Sequence, residues 1–480
     1  MTFLSAPVKL LPLQGYEDHL RDASHFRGTA EAIAFPTSEA EVAQLLRQAA
    51  RERKPVTVSG AGTGLTGARV PQGGIILCLE RMNRILGIQW DEARQAGTVT
   101  VQPGVALNEL DAALETQGLF YPPDPGEKAA FIGGTLSTNA SGARSFKYGA
   151  TRRHVQRLRL VLATGEVVEV RRGERPKSLS VPLPTYPAPK TTKNAAGYFT
   201  GPGAEPLDLF IGAEGTLGVI TEAELTILRK PETILSGVLF FDSEPDCFAF
   251  SAHARERLAP RALEFFDSHS LRILAGRHED IPEHAGAALL FEQECRAAEQ
   301  ESLLKEWTEQ AEEMKARSSD CWFSHRPEDH AVFRKYRYDL PVLVNERVGQ
   351  RGFRKLGTDL AVPEEKAQAM NDLYLTELPR SGIEYAIWGH LGDHHLHVNF
   401  LPKNQEELER SQALYAAFAQ RAIEWGGTVS AEHGIGKVRI PYLERMVGRE
   451  GLKQMARVKK ALDPEGILNR GNIFPAELLG

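Results

Sequence analysis

The amino-acid sequence predicts an α+β protein of two domains, and three observations carry that expectation. The half before residue 232 is rich in glycine and β-branched residues, with short apolar runs of strand length set between helical patterns. The composition changes near Arg229-Lys230-Pro231, beyond which long helical patterns such as 296–317 intersperse acids and bases on a solvated face. In the second half, apolar and polar residues alternate from His395 onward, as a strand with one core face and one polar face requires. A chain of 480 residues is long enough for two or three domains and for a large core. The expected division is 1–232 and 233–480.

Taken in order, Pro36-Thr37-Ser38 precedes an apolar-periodic run from Val42 to Ala50, a helix with Ser38 as its N-cap. Val56-Thr57-Val58 is a short strand running into glycines. Further strands are expected at Gly74 to Leu79, Gly97 to Val101, Leu158 to Leu162 and Val167 to Val170, with a helix at Leu107 to Gln117. The proline-rich stretch 176–189 cannot be regular structure and is expected as a surface loop. Beyond the boundary, Gly237 to Phe241 and Ala386 to Phe400 add strands. The last forty residues return to a helical pattern, which stops at Leu462-Asp463-Pro464-Glu465-Gly466-Ile467.

Composition excludes several classes of function. A net charge of −6 argues against a nucleic-acid binder, which would carry a basic face. Cys78, Cys247, Cys295 and Cys321 include no CxxC pair, so neither a disulfide framework nor an iron–sulfur cluster is expected. The stretch MTFLSAPVKLLPLQGYEDHL lacks the pattern of a secretory signal, and no apolar run reaches the length of a membrane span. A soluble cytoplasmic protein is expected, with room for docking at a membrane surface.

Three glycine-rich segments stand out. Ser59 to Gly67 is SGAGTGLTG, directly after a strand, where glycines let backbone N–H groups turn toward phosphate oxygens. The segment does not open a helix with an acid about 20 residues on, so it differs from the nicotinamide dinucleotide pattern. Residues 122–149 (PPDPGEKAAFIGGTLSTNASGARSFKYG) and 208–228 (DLFIGAEGTLGVITEAELTIL) follow.

In this order and spacing the three segments resemble the FAD domain of the vanillyl-alcohol oxidase, or PCMH-type, flavoprotein superfamily, over roughly residues 30–230. The resemblance implies a two-subdomain FAD-binding domain, with the pyrophosphate at Ser59, Gly60, Ala61, Gly62, Thr63 and Gly64. It places Pro122, Asp124, Gly133, Gly134, Ser137, Asn139, Gly142 and Tyr148 along the flavin and adenine. Glu214, Gly218, Val219 and Ile220 then fall near the cofactor. Many relatives hold the flavin covalently through a histidine in the first loop. Thr63 stands at that position, so the resemblance implies non-covalent FAD.

In GHLGDHHLHVNF (389–400), His395, His397 and Asn399 share one strand face, while Leu396, Val398 and Phe400 share the other. GGTVSAEHGIGK (426–437) places Glu432 and His433 in a second glycine-framed loop. Two imidazoles and a carboxylate are a common divalent-metal set, although a lone strand histidine is more often structural.

These two segments resemble the signature of FAD-linked oxidase C-terminal domains, a group that includes D-lactate, glycolate and D-2-hydroxyglutarate dehydrogenases, over about residues 235–475. The resemblance implies an α+β substrate domain with an antiparallel sheet, and a helical tail at about 440–480 packing back near the flavin. It implies metal ligands at His390, His397 and Glu432, with zinc the first expectation among zinc, manganese, iron and cobalt. Asn399 matches a substrate contact and His433 the catalytic base. Arg334, in VFRKYRYDLP, and Lys355, in RKLGTDLAVP, match substrate cations, in a region that also holds Arg337, Arg347, Arg351 and Arg354. The chain departs from the family twice. His394-His395 replaces a common Gly-Asn, which either adds a ligand or reshapes the pocket. Asn469-Arg470-Gly471-Asn472 replaces Asn-Pro-Gly-Lys, keeping Asn469 near the cofactor.

The implied function is FAD-dependent oxidation of a small D-2-hydroxy acid to the 2-oxo acid by metal-assisted hydride transfer. An external quinone, cytochrome or electron-transfer flavoprotein would accept the electrons. Lactate, glycolate and 2-hydroxyglutarate all remain as substrates, and a homodimer remains open. The alternatives are a non-redox flavoenzyme of the alkyl-dihydroxyacetonephosphate synthase type and a partner-dependent flavin subunit of a glycolate oxidase-like complex.

Overall fold

Val56–Ser59, Ile75–Cys78 and Ala32–Ala34 form a parallel three-stranded sheet with Ile75–Cys78 at its centre, in a computed structural model that describes residues 8–175, 179 and 181–480. The helix Glu39–Glu52 covers it with Val42, Leu45, Leu46 and Ala49. Ser38 caps that helix as expected, its hydroxyl accepting from the Glu41 backbone N–H at 3.3 Å. The apolar Ile-Ile-Leu-Cys strand is buried along its whole length, as a parallel strand covered on both faces must be.

A second, antiparallel sheet runs in the order Ile85–Asp91, Ala96–Val101, Val219–Arg229, Val155–Val161, Val167–Arg171. Its central strand Val219–Arg229 is the third glycine-rich segment continued. Val219, Ala223, Leu225 and Ile227 face the core, with Glu222 and Glu224 between them.

The chain then enters a seven-stranded antiparallel sheet. Its order is Trp322–Ser324, Thr233–Phe241, Ala287–Cys295, Ala262–Asp267, Tyr385–His390, His395–Phe400, Leu356–Gly357. Helices Glu244–Arg257, Gln300–Glu313, Pro327–Gly349, Ala367–Ser381 and Gln405–Glu424 accompany it. One apolar core is continuous from Val99 and Leu225 to Leu239, Phe291 and Trp307. Trp307 stacks on Phe291 at 3.6 Å and satisfies its buried indole N–H on Gln293 Oε1 at 2.8 Å.

Several expectations differ from the structure. Ala386 to Phe400 is a hairpin rather than one run. Tyr385–His390 and His395–Phe400 pair antiparallel around a 3-10 turn at Leu391–Asp393, and His394 takes the left-handed conformation (φ 54°) that closes it. The helix expected across 296–317 is regular only at Gln300–Glu313. The final helix ends at Leu462, and the tail beyond it is irregular up to a 3-10 turn at Ala476–Leu479. That tail bridges Leu468 to Val56 beside the three-stranded sheet. Lys459 locks it from inside, its buried ammonium donating to Thr216 O, Leu468 O and Asp463. Residues 176–178 and 180 of the expected surface loop lie outside the described residues. So do residues 1–7 of the stretch tested for a targeting signal. The rest of the 176–189 stretch carries neither helix nor strand.

Candidate active site

The sheets enclose a cavity of about 1610 Å³. A drug-sized ligand needs only ~300–1,000 Å³, so the space suits a dinucleotide together with a small substrate. One wall is the loop that leaves Val56–Ser59. Ser59, Gly60, Ala61, Gly62, Thr63 and Gly64 all line the cavity. The backbone N–H groups of Gly60 to Gly64 find no acceptor among the described residues. Unpaired backbone donors turned into a cavity form a cradle for an anion such as a pyrophosphate. Arg69 holds the loop from behind, donating to Gly60 O at 2.7 Å and to Asp18 O at 2.8 Å. Gly62 suits its φ of +85°, a backbone conformation that residues with a Cβ rarely adopt.

The second glycine segment reaches the same cavity through Gly133, Gly134, Ser137 and Gly142, and the third through Glu214, Gly218 and Ile220. At Gly142 (φ +139°) a Cβ would lie 1.9 Å from Asp124 O, so the chain can double back only on a glycine. Glu214, itself left-handed (φ +52°), sends its carboxyl across to the 426–437 loop and accepts from Ile435 N at 2.6 Å and Gly436 N at 2.8 Å. Burial pushes its pKa up to about 7. Asn469 ties the tail to the strand entering the first glycine segment and to the third segment, accepting from Val58 N at 2.7 Å and donating to Glu214 O at 2.7 Å.

The opposite wall carries the imidazoles. His390 ends one strand of the hairpin and His397 sits mid-strand on the other, directly facing the Glu432 carboxylate. His390 Nε2 lies 3.2 Å from Glu432 Oε1, and His397 Nε2 lies 3.7 Å from Oε2. The far nitrogen of each ring is held, His390 Nδ1 by Glu264 Oε1 at 2.6 Å and His397 Nδ1 by Thr358 O at 3.1 Å. Imidazoles fixed through one nitrogen with the other converging on a carboxylate are the arrangement metal ligands adopt. This donor set fits a divalent cation by its chemistry. Burial alone would raise the Glu432 pKa, but His390 and Lys193 hold it well below the usual carboxylate range.

His433, next along, presents Nδ1 3.4 Å from Asp359 Oδ2. Burial pushes its pKa down to about 4, leaving a neutral ring that can accept a proton. Asp359 is fixed in turn by Arg439 and accepts from the His433 backbone N–H at 3.0 Å. Lys355 Nζ donates to Asn399 Oδ1 at 2.9 Å and faces the Trp388 ring at 5.0 Å. Burial pushes its pKa down to about 8.

The structure brings His390, His397, Asn399, Glu432, His433, Lys355 and Asn469 to the cavity wall. Other residues expected there stand outside it. Arg334 turns to Glu292 at 2.7 Å, and Arg337, one helical turn on, lines the cavity against Glu264 at 3.1 Å. Asp124 is spent on Lys128 at 2.6 Å and Arg144 at 3.4 Å. Asn139 donates to Asn194 O at 3.0 Å, and Tyr148 bonds Glu294. Pro122 and Val219 are packed away from the cavity. The segment 122–149 folds back on itself, so Pro125, Glu127 and Phe131 reach the cavity beside its small residues while Asp124, Asn139 and Tyr148 do not.

Residues with no local signal complete the site. Lys193 is fully buried and donates to Glu432 Oε1 at 2.7 Å and to Gly142 O at 3.0 Å. Ser141 donates to the same Glu432 oxygen at 2.7 Å. Thr66 O accepts from Lys437 N at 2.9 Å, so the two glycine loops touch directly.

An anion cradle facing an imidazole–carboxylate cluster across one cavity defines the class as a cofactor-dependent enzyme assembled from two sheet systems. The sequence comparisons make the assignment specific. Residues 230–473 match the model of FAD linked oxidases, C-terminal domain, and residues 30–171 that of an FAD binding domain. The chain belongs to the FAD-linked oxidase family. It is 33% identical to a D-lactate dehydrogenase of Anaerostipes hadrus, covering 95% of this chain and 92% of that one. It is 30% identical to the glycolate oxidase subunit GlcD of Bacillus subtilis, covering 94% and 90%. It is 29% identical to a D-2-hydroxyglutarate dehydrogenase of Stutzerimonas stutzeri, covering 94% and 92%. Among solved structures, alkyldihydroxyacetonephosphate synthase shares the fold at TM-score 0.66 with 18% identity, over 92% of this chain and 76% of that one.

Proposed function

We propose that this chain is an FAD-dependent dehydrogenase of a small D-2-hydroxy acid, with non-covalent FAD and a divalent cation at His390, His397 and Glu432. One observation carries the reading. A single cavity holds a loop of unpaired backbone donors, an imidazole–carboxylate cluster, and cationic side chains that include Lys355 and Arg337. On this reading, residues 1–232 bind FAD and residues 233–480 bind the substrate.

FAD, when bound, supplies the two-electron acceptor. A divalent cation, when bound, supplies Lewis-acid polarisation of the substrate oxygens. The protein's own groups do the rest. Lys355 and Arg337 offer the positive charge that a substrate carboxylate needs, and Asn399, already bonded to Lys355, offers an amide beside it. His433, neutral and set beside Asp359, is the group we assign to take the hydroxyl proton. Lys193 and Ser141 both donate to Glu432 Oε1 and fix that carboxylate. Thr63 lines the loop where covalent relatives carry a histidine. A hydroxyl there offers no covalent bond to the flavin.

Electrons leave to an external quinone, cytochrome or electron-transfer flavoprotein, since Cys78, Cys247, Cys295 and Cys321 are free thiols that form no relay. No helix among the described residues is long and apolar enough to cross a membrane. We place the enzyme in the cytoplasm, with docking at a membrane surface compatible with a quinone acceptor. Turnover of paired D- and L-2-hydroxy acids with a dye acceptor tests the reading. A preference for one D-acid supports it; equal or better turnover of L-acids, or no turnover of any, contradicts it.

A further inference from the structure

The cluster contains a third imidazole that the two expected histidine ligands do not account for. His395 is 0% exposed and opens the strand that carries His397. Its Nδ1 points at the same carboxylate, 4.0 Å from Glu432 Oε1. Its Nε2 lies 3.0 Å from Asp359 Oδ1, and its Nδ1 has no hydrogen-bond partner among the described residues. A buried imidazole nitrogen left without a partner is costly as mere packing. His394, the other departure from the family's Gly-Asn, turns away and packs beside Leu360, Met370 and Tyr374.

We propose that His395 is a fourth protein ligand, making a three-histidine, one-glutamate metal centre rather than a two-histidine one. The inference rests on the metal reading above. The ligand atoms of His390, His395, His397 and Glu432 lie within 4.8 Å of one another. Tetrahedral bonds of ~2.1 Å put ligand atoms roughly 3.4 Å apart. His390 and His395 stand 3.2 and 4.0 Å from Glu432 Oε1, and His397 stands 3.7 Å from Oε2, so the contacts to the carboxylate lie on either side of that value. The outer contacts repeat as well. His390 leans on Glu264, His397 on Thr358 O and His395 on Asp359, so each ring has one nitrogen toward a second group and one toward the centre.

His390, His397 and Glu432 line the cavity, whereas His395 stands behind them. It closes the rear of the centre and leaves the substrate side open. A third imidazole also biases the centre toward zinc or cobalt over manganese or magnesium.

The test loads cobalt(II) into the FAD-containing enzyme and compares His395→Gln with the parent. Glutamine keeps a group near Asp359 and deletes Nδ1. The inference expects one cobalt per chain in the parent, at least about tenfold weaker binding in the variant, and altered ligand-field bands. Unchanged affinity and spectrum in the variant overturn the inference and leave the metal reading standing. No binding by the parent overturns both. His395→Asn, the family's own residue, serves if the glutamine variant does not retain FAD. Pulsed EPR of the copper(II)-loaded parent needs no variant: three coupled imidazoles support the inference, and two overturn it.

Discussion

On the proposed reading His433 and Lys355 do different work, and their variants separate it. His433→Ala should lower kcat by about 10²–10⁴-fold, the range for loss of a general base, with FAD content unchanged. Stopped-flow reduction of the flavin measures it, and parental rates would remove His433 from the chemistry. Lys355 has its pKa pushed down to about 8 by burial, so it carries charge below that pH and loses it above. KM for the hydroxy acid should therefore rise as pH climbs through 8 while kcat holds, and Lys355→Met should raise KM and flatten its pH profile. At this scale the sequence was most legible where neighbours in the chain are neighbours in the site. Glu432 and His433 are adjacent, and His397 and Asn399 share a strand face. It was least legible for Arg334 and Arg337. Three residues of helix turn the two side chains ~60° apart, and only tertiary packing decides which arginine meets the cavity. Lys193, far from Glu432 in the chain, belongs to no local pattern.

Among the elements, the loops are the working parts. Glu214 reaches from the first half to the backbone of Ile435 and Gly436, so Glu214→Ala leaves two buried N–H groups unpaired. A loss of roughly 2 kcal/mol or more in stability is expected, read by chemical denaturation, with a drop in kcat because the same loop carries His433. Stability equal to the parent's would show that the loop is held by other contacts. The glycine loops were legible because each needs backbone approach or a positive φ that side chains oppose. The alternation from His395 was legible because strand periodicity is local. The hairpin turn at Leu391–His394 was not. It interrupts an apolar-polar run without proline or an Asn-Gly signal, and the left-handed His394 is stabilised by the closed hairpin itself.

On the scale of the whole molecule, two sheet systems share one core and close on one cavity, and a charged network lies between them. Burial would raise the Asp124 and Glu292 carboxyls, but Arg144, Lys128 and Arg337 for Asp124, and Arg261, Arg334 and Arg144 for Glu292, hold both well below the usual range. Folded pKa values depressed below the unfolded ~4 contribute stability above pH 4 that is lost as pH falls below it. Denaturation midpoints should fall steeply as pH drops from 4 toward 3. A flat profile to pH 3 would contradict the network. The central claim is that one cavity couples a flavin, a divalent cation and a D-2-hydroxy acid. Anaerobic loss of the flavin's visible absorption on adding D- and L-2-hydroxy acids, with and without a chelator, tests it most directly. Bleaching by a D-acid that the chelator abolishes and added zinc or cobalt restores is the expected result. A flavin that no 2-hydroxy acid reduces, before or after metal loading, would contradict the account.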